Sequence, residues 1–201
     1  TPDDEERPDA VAGAARPLLR DTQVRAFLWT IAALVSVITA YRVLANGDHW
    51  EHAFREALFN VISVITGTGF ASVDYQLWGP FPVMMFFFVG LIGGCAGSTT
   101  CSVKIFRYQL LIASIKVQIR RIHSPHGQFA PRYEGRVVSD EVMSSVMSFF
   151  GVFVVSLGLI AVALSMTGLD FVTSISGAAT AIANVGPGLG DTIGPAGNFA
   201  A

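Results

Sequence analysis

The sequence predicts an all-α membrane protein made of a repeated unit: a helix, a short re-entrant helix closed by a glycine loop, and a second helix. Three observations predict it. Hydrophobic residues fill 52% of 201 positions and charged ones 14%, with a mean hydropathy of +0.53, against about 25% charge in ordinary soluble domains. Apolar runs reach membrane length, with 28 uncharged residues from 142 to 169 and 23 from 81 to 103, where about 20 cross the hydrocarbon. Last, two glycine segments, TGTGF at 66–70 and NVGPG at 184–188, each close an apolar stretch too short to cross. Glycine visits positive φ at little steric cost, so such loops can turn successive carbonyls toward one axis. Irregular backbone at membrane depth is tolerated only where protein or a water-filled cavity surrounds it, so these breaks point to a pathway.

The chain opens acidic and rich in Pro and Ala from Thr1 to Pro17, without methionine or a signal-peptide pattern. Residues 1–25 read as a linker on the cytoplasmic side, entered from upstream. Residues 194–199 break off where a further helix is expected, so the sequence reads as a fragment truncated at both ends.

The first crossing is expected at 26–45. Ala26 to Tyr41 is uncharged, and Arg42 can snorkel at its end. After a break at Asn46-Gly47-Asp48, a short helix at 50–65, about 24 Å long, leads into the loop at 66–70. Between 81 and 119 the pattern predicts one crossing broken in its middle. Phe81 to Ile92 is bulky, whereas Gly93 to Thr100 is small and rich in hydroxyls, with three glycines in five positions. Each glycine costs a helix about 1 kcal/mol relative to alanine, enough to unwind it where neighbours satisfy the backbone. Val103 to Ile119 resumes a helical pattern. A basic loop follows at 120–141, then a crossing at 142–169, a short helix at 171–183 and the second glycine loop at 184–190.

The unit repeats. An offset of 119 residues brings Gly67 onto Gly186 and Gly69 onto Gly188, with the preceding helices in register. Lys104, Arg107, Lys116, Arg120, Arg121, Arg132 and Arg136, seven of 13 basic residues, lie in or beside the segment joining the two halves. The positive-inside rule makes that segment cytoplasmic. Arg16, Arg20 and Arg25 place the lead on the same side, so both glycine loops face outward. Asp48, Glu51, Glu56, Asp74, Asp170 and Asp191 then form an acidic outer vestibule, which would raise the local cation concentration.

Taken together, FNVISVITGTGF at 59–70, GGCAGST at 93–99, KIFR at 104–107 and NVGPGLG at 184–190 resemble the Trk/Ktr/HKT potassium transporters, closest to the TrkH-type uptake subunit. The resemblance runs from about Arg25 to the chain end and covers the third and most of the fourth of four repeats. It implies pore units as in potassium channels and uptake of potassium, the transported substrate, through a filter with no cofactor. Thr66, Gly67, Thr68 and Gly69 with Asn184, Val185, Gly186, Pro187 and Gly188 would supply the filter. Pro187 stands where the third repeat has Thr68, which puts strict potassium selection in doubt. Gly93, Gly94, Gly97, Ser98, Thr99 and Lys104 would belong to an intramembrane gating loop. The resemblance further implies a homodimer in the lipid of the bacterial inner membrane and a cytoplasmic nucleotide-binding regulatory subunit, docked in part on Lys116 to Arg136. Symport with protons or sodium is left open.

Plainer readings stand beside these. The glycines could cap buried helices, the broken crossing could be a glycine-lined helix without a gate, and Lys104 could snorkel to headgroups instead of facing the pore. The basic stretch could be a belt for anionic lipid. Cys95 and Cys101 lack a metal or redox spacing and read as small buried residues, and His123 and His126 as solvated ones. Gly93 to Thr99 lacks the Gly-Lys-Ser/Thr ending of a phosphate loop, and GPGLG has the wrong spacing for a dinucleotide fingerprint. No nucleophile with a base falls in the apolar segments, so an enzyme is not expected, and nucleic acid is not an expected partner. The remaining alternatives are a non-conducting structural subunit and a pore permeable to both sodium and potassium.

Overall fold

The computed structural model describes residues 21–96, 98, 102–123, 129–133 and 135–195, and it is almost entirely helical. Helix α1, Thr22–Tyr41, starts inside the stretch expected as linker because Asp21 caps it, accepting the Gln23 N–H at 2.7 Å. It runs into a wide π turn at Arg42–Asn46 that Gly47 ends at φ 72°. Together they make an apolar helix of 25 residues, long enough to cross a membrane. Helix α2, Trp50–Thr66, is stopped by Gly67 in the left-handed conformation, φ 74°. Asp74 then caps a 3₁₀ turn at Tyr75–Trp78, and Pro80 opens α3, Pro80–Leu91, where its missing N–H costs no hydrogen bond.

Helix α3 has 12 residues, about 18 Å at 1.5 Å per residue, and falls short of a crossing. The chain resumes as α4, Ile105–His123. It extends beyond the expected end at Ile119 because Arg120 and Arg121 place positive charge at the negative end of the helix dipole. The break between α3 and α4 is clasped at its base by a parallel bridge of Ile92 with Val103. The Gly93 N–H donates to the Val103 carbonyl at 2.8 Å and the Ile105 N–H to the Gly94 carbonyl at 3.1 Å.

Within the segment expected as a basic loop, Arg132–Tyr133 (β1) pairs antiparallel with Arg136–Val137 (β2), and Gly135 turns between them at φ 79°. Ser139 caps α5, Asp140–Ser165, and Asp170 caps α6, Phe171–Ala183. Helix α5 is the second one long and apolar enough to cross a membrane. It stops before the expected residue 169, and Gly168 reverses the chain at φ 90°.

One core joins the halves. Val35 and Ile38 of α1, Val61 and Ile65 of α2 and Val89 of α3 cluster with Ala183, Val185 and Leu189 at the end of the second half. Tyr75 stacks on Phe86 with ring centroids 4.1 Å apart, and Trp78 closes the group at 5.9 Å from Phe86. Helix α5, by contrast, exposes Val152, Val154, Val155, Leu159 and Val162, an apolar surface suited to lipid or further helices rather than water.

The two short helices are not in the expected register. Helix α2 ends at Thr66 and Gly67 takes its left-handed cap, whereas α6 ends at Ala183 and Asn184, at φ 54°, takes the cap two residues before Gly186. The glycines align at an offset of 119 but the helix ends do not, because asparagine tolerates the left-handed region and stops α6 early.

Candidate functional site

Both glycine loops begin at helix C-termini, where carbonyl groups place partial negative charge. In the first loop, the Gly67 N–H turns back to the Val64 carbonyl at 3.1 Å, and the N–H groups of Thr68 and Gly69 share the Ser63 carbonyl at 2.9 and 3.2 Å. The Thr66 hydroxyl bonds the Ile62 carbonyl at 2.7 Å and lies 2.8 Å from the Thr68 hydroxyl. With the amides committed backward, no donor among the described residues reaches the carbonyls of Gly67, Thr68 and Gly69. The same holds for Val185, Gly186 and Pro187 in the second loop.

The loops meet backbone to backbone. A Cβ on Gly69 would lie 2.8 Å from the Val185 carbonyl oxygen and 3.1 Å from the Pro187 ring, and one on Gly186 would lie 3.7 Å from the Gly69 Cα. Gly69 is itself at φ 77°, so a side chain there is excluded by both conformation and space. Gly188 differs from Gly69. It lies outside the left-handed region, donates its N–H to the Ile193 carbonyl at 2.8 Å and packs against the Ile193 side chain. Gly190, at φ 103°, shows the tighter constraint, since a Cβ there would lie 2.1 Å from the Thr173 hydroxyl.

Several polar residues that pin these loops were not among those singled out from sequence. Asn60, fully buried, donates to Ser72 Oγ at 2.8 Å and accepts the Ser72 N–H at 3.1 Å, fastening the far side of the first loop to α2. Ser176 Oγ accepts the Leu189 N–H at 2.9 Å and donates to the Leu189 carbonyl at 2.8 Å. Gln76 grips Gly190 across the two halves. A polar residue at an apolar helix position is the available signal for Asn60 and Ser176; nothing local marks Gln76. Burial pushes the Tyr75 hydroxyl above its ordinary pKa, and the neighbouring Asp74 carboxylate adds to this.

In the break between α3 and α4, Gly93 and Gly94 belong to the clasp described above. Gly97 and Thr99 lie outside the described residues. Ser98 donates to the Cys95 carbonyl at 2.7 Å, and the Ala96 N–H reaches Gln23 Oε1 at 2.9 Å, tying the break to α1. Lys104 Nζ turns onto the break itself, donating to the Ser98 carbonyl at 2.6 Å. At the exit, Ser102 stands at φ 66°, and its N–H donates to the Ala183 carbonyl at 2.8 Å. The break is thereby linked to the last residue of α6.

The outer acids are mostly committed to structure. Arg42 does not snorkel: it is 4% exposed, bonds Asp48 and Glu56 at 2.7 Å each, and lies 4.2 Å over the Trp78 ring. Asp74 and Asp170 cap helices. Burying Arg42 depends on these carboxylates, and its single charge offsets one of their two, so this cluster keeps a net negative charge beside Glu51, Asp74, Asp170 and Asp191. On the opposite end, Lys116, Arg120 and Arg132 line a groove of about 730 Å³ with Phe129 and Tyr133.

A family model described as TrkH, cation transport protein, matches residues 14–198. The Trk system potassium uptake protein TrkI of Halomonas elongata is 43% identical over 188 residues, covering 94% of this chain and 38% of that protein. The potassium uptake protein TrkG of Escherichia coli is 33% identical over 178 residues, covering 88% and 36%. The crystal structure of the potassium transporter TrkH from Vibrio parahaemolyticus matches with a TM-score of 0.82 at 29% identity, over 90% of this chain and 39% of that one. The chain thus spans about two fifths of the length of these relatives. With sequence, helix arrangement and nearly the whole chain in agreement, it belongs to the TrkH family of cation transport proteins.

Proposed function

We propose that the protein containing this chain takes up potassium across the bacterial inner membrane through a pore lined by Thr66 to Gly69 and Asn184 to Gly188. The observation behind this reading is the set of donor-free carbonyls on Gly67 to Gly69 and Val185 to Pro187, gathered where two helix C-termini converge. Oxygens held this way can replace the hydration shell of a cation without an acidic side chain. Two loops supply only part of such a cage and leave the other ligands to further repeats, in keeping with relatives more than twice as long.

The break at 92–103 acts as the gate. Its ends are clasped, its middle is rich in glycine, and Lys104 holds it closed through Ser98. A homodimer is the assembly, and a nucleotide-binding regulator docks on the basic groove of Lys116, Arg120 and Arg132. A less selective pore, passing sodium as well, is favoured by one observation: the second loop has a proline in place of Thr68 and a differently folded Gly188.

Rubidium flux into proteoliposomes of the full-length protein tests the filter. Gly69→Ser places a side chain against the Val185 carbonyl, so uptake falls by roughly two- to tenfold, the equivalent of one lost hydrogen bond. Unchanged uptake and ion preference would refute the assignment.

A further inference from the structure

Residues 188–190 are held from their own half of the chain by Ser176 and by the backbone of Ile193 and Gly194, and from the other half by one side chain. Ser176, from α6, takes both backbone groups of Leu189. Gln76 takes both backbone groups of Gly190 from 114 positions away: Oε1 accepts the Gly190 N–H at 2.6 Å, and Nε2 lies 3.4 Å from the Gly190 carbonyl oxygen. A primary amide is the side chain that can accept and donate at once in this geometry. The fit is close. A Cβ on Gly194 would lie 2.2 Å from Gln76 Nε2, and the Gly194 N–H bonds the same Gly190 carbonyl at 2.9 Å.

Gln76 is itself rigidly placed. Its residue lies in the 3₁₀ turn that follows the first glycine loop, its N–H bonds the Asp74 carboxylate at 3.1 Å, and its neighbours Tyr75 and Trp78 are buried in the shared core. The second loop therefore takes its position relative to the first from an amide mounted on the first repeat.

Resting on the pore reading above, we propose that Gln76 is a positioning residue of the ion path, holding the outer end of the second glycine loop at the spacing that discriminates potassium from the smaller sodium ion. Discrimination by carbonyl oxygens depends on how far the cage can contract. Loss of the amide frees the Gly190 N–H, leaves its carbonyl to Gly194 alone, and lets the second loop move inward around a smaller ion. Gln76 touches no ion; it acts through the Gly190 backbone.

The test uses the full-length protein with Gln76→Leu, which keeps the bulk and removes both polar groups, and Gln76→Glu, which keeps the acceptor for the Gly190 N–H. Sodium permeability relative to potassium in proteoliposomes should rise about tenfold in Gln76→Leu, the scale of one lost hydrogen bond, and by less in Gln76→Glu. A merely structural role would lower the amount of folded protein and the total flux while leaving this ratio unchanged. Hydrogen exchange of residues 188–194 supplies a readout independent of conduction, and it should quicken in Gln76→Leu and recover in Gln76→Glu. A wild-type permeability ratio in Gln76→Leu, or unaltered exchange at 188–194, overturns the proposal. Absence of flux from wild-type protein with altered exchange in Gln76→Leu instead overturns the pore reading, and with it the proposed role in discrimination, while leaving the strut in place.

Discussion

Arg42 illustrates how one residue changes its meaning between chain and fold. At the end of an apolar run it reads as a cation reaching for the membrane surface, yet it lies 4% exposed between Asp48, Glu56 and the face of Trp78. A charge is buried at a cost of several kcal/mol unless its partners are equally well placed. Here both carboxylates approach to 2.7 Å. Removing the cation strands the carboxylates, so Arg42→Ala should destabilise the protein by about 3–5 kcal/mol. Thermal unfolding in detergent measures this, and a loss below about 1 kcal/mol would mean the pair contributes no more than a surface one. The glycines divide in the same local way. Gly69 and Gly190 are required by positive φ and by contact, whereas Gly188 is required by contact with Ile193 alone.

Helices α3 and α6 are short, α1 and α5 are long and apolar enough to cross a membrane, and the element ends are chemically marked. Asp21, Asp74, Ser139 and Asp170 all accept N–H groups at the starts of helices. Asp170 is held below its ordinary value of 3.8 by hydrogen bonding to Thr173, side chain and backbone, and to the Val172 N–H. A carboxylate with a depressed folded pKa stabilises the fold above its ordinary pKa, and the contribution is lost as the pH falls through the folded value. The start of α6 should therefore loosen in acid, below the ordinary carboxylate range. Asp170→Asn keeps a good cap without the charge, so its melting temperature should fall less between roughly pH 6 and pH 3, the window in which carboxylates titrate, than that of the wild type. Equal slopes would show that the cap does not titrate in this way.

At the scale of the molecule, charge and hydropathy give the chain two distinct ends. Arg120 and Arg121, in the last turn of α4, and Arg132 after it lie at one end, and both glycine loops lie at the other, with an apolar α5 surface between. Single cysteines placed at Asp191 and at Arg132, in the full-length protein with Cys95 and Cys101 replaced by serine, should react with a membrane-impermeant maleimide from opposite sides. Labelling at Asp191 from outside and at Arg132 only after permeabilisation is the expected result. Both reacting from the same side would invert the reading of the basic residues.

Composition and uninterrupted apolar runs determined by themselves that the chain is helical and membrane-directed, because hydrocarbon admits only helices and closed barrels, and uncharged runs of 23 and 28 residues fit a helix and not a barrel strand of about 10. The glycine pattern marked both loops and the break after α3 for the same local reason, since glycine costs conformational entropy wherever it stands in a helix. Tertiary structure decided what depends on residues far apart in the chain. The grip of Gln76 on Gly190, the pairing of Arg42 with Glu56 and the bond from the Ser102 N–H to the Ala183 carbonyl each come from packing. An isolated side chain announces its charge and size; its partner is selected only when the core closes and brings it within hydrogen-bonding distance.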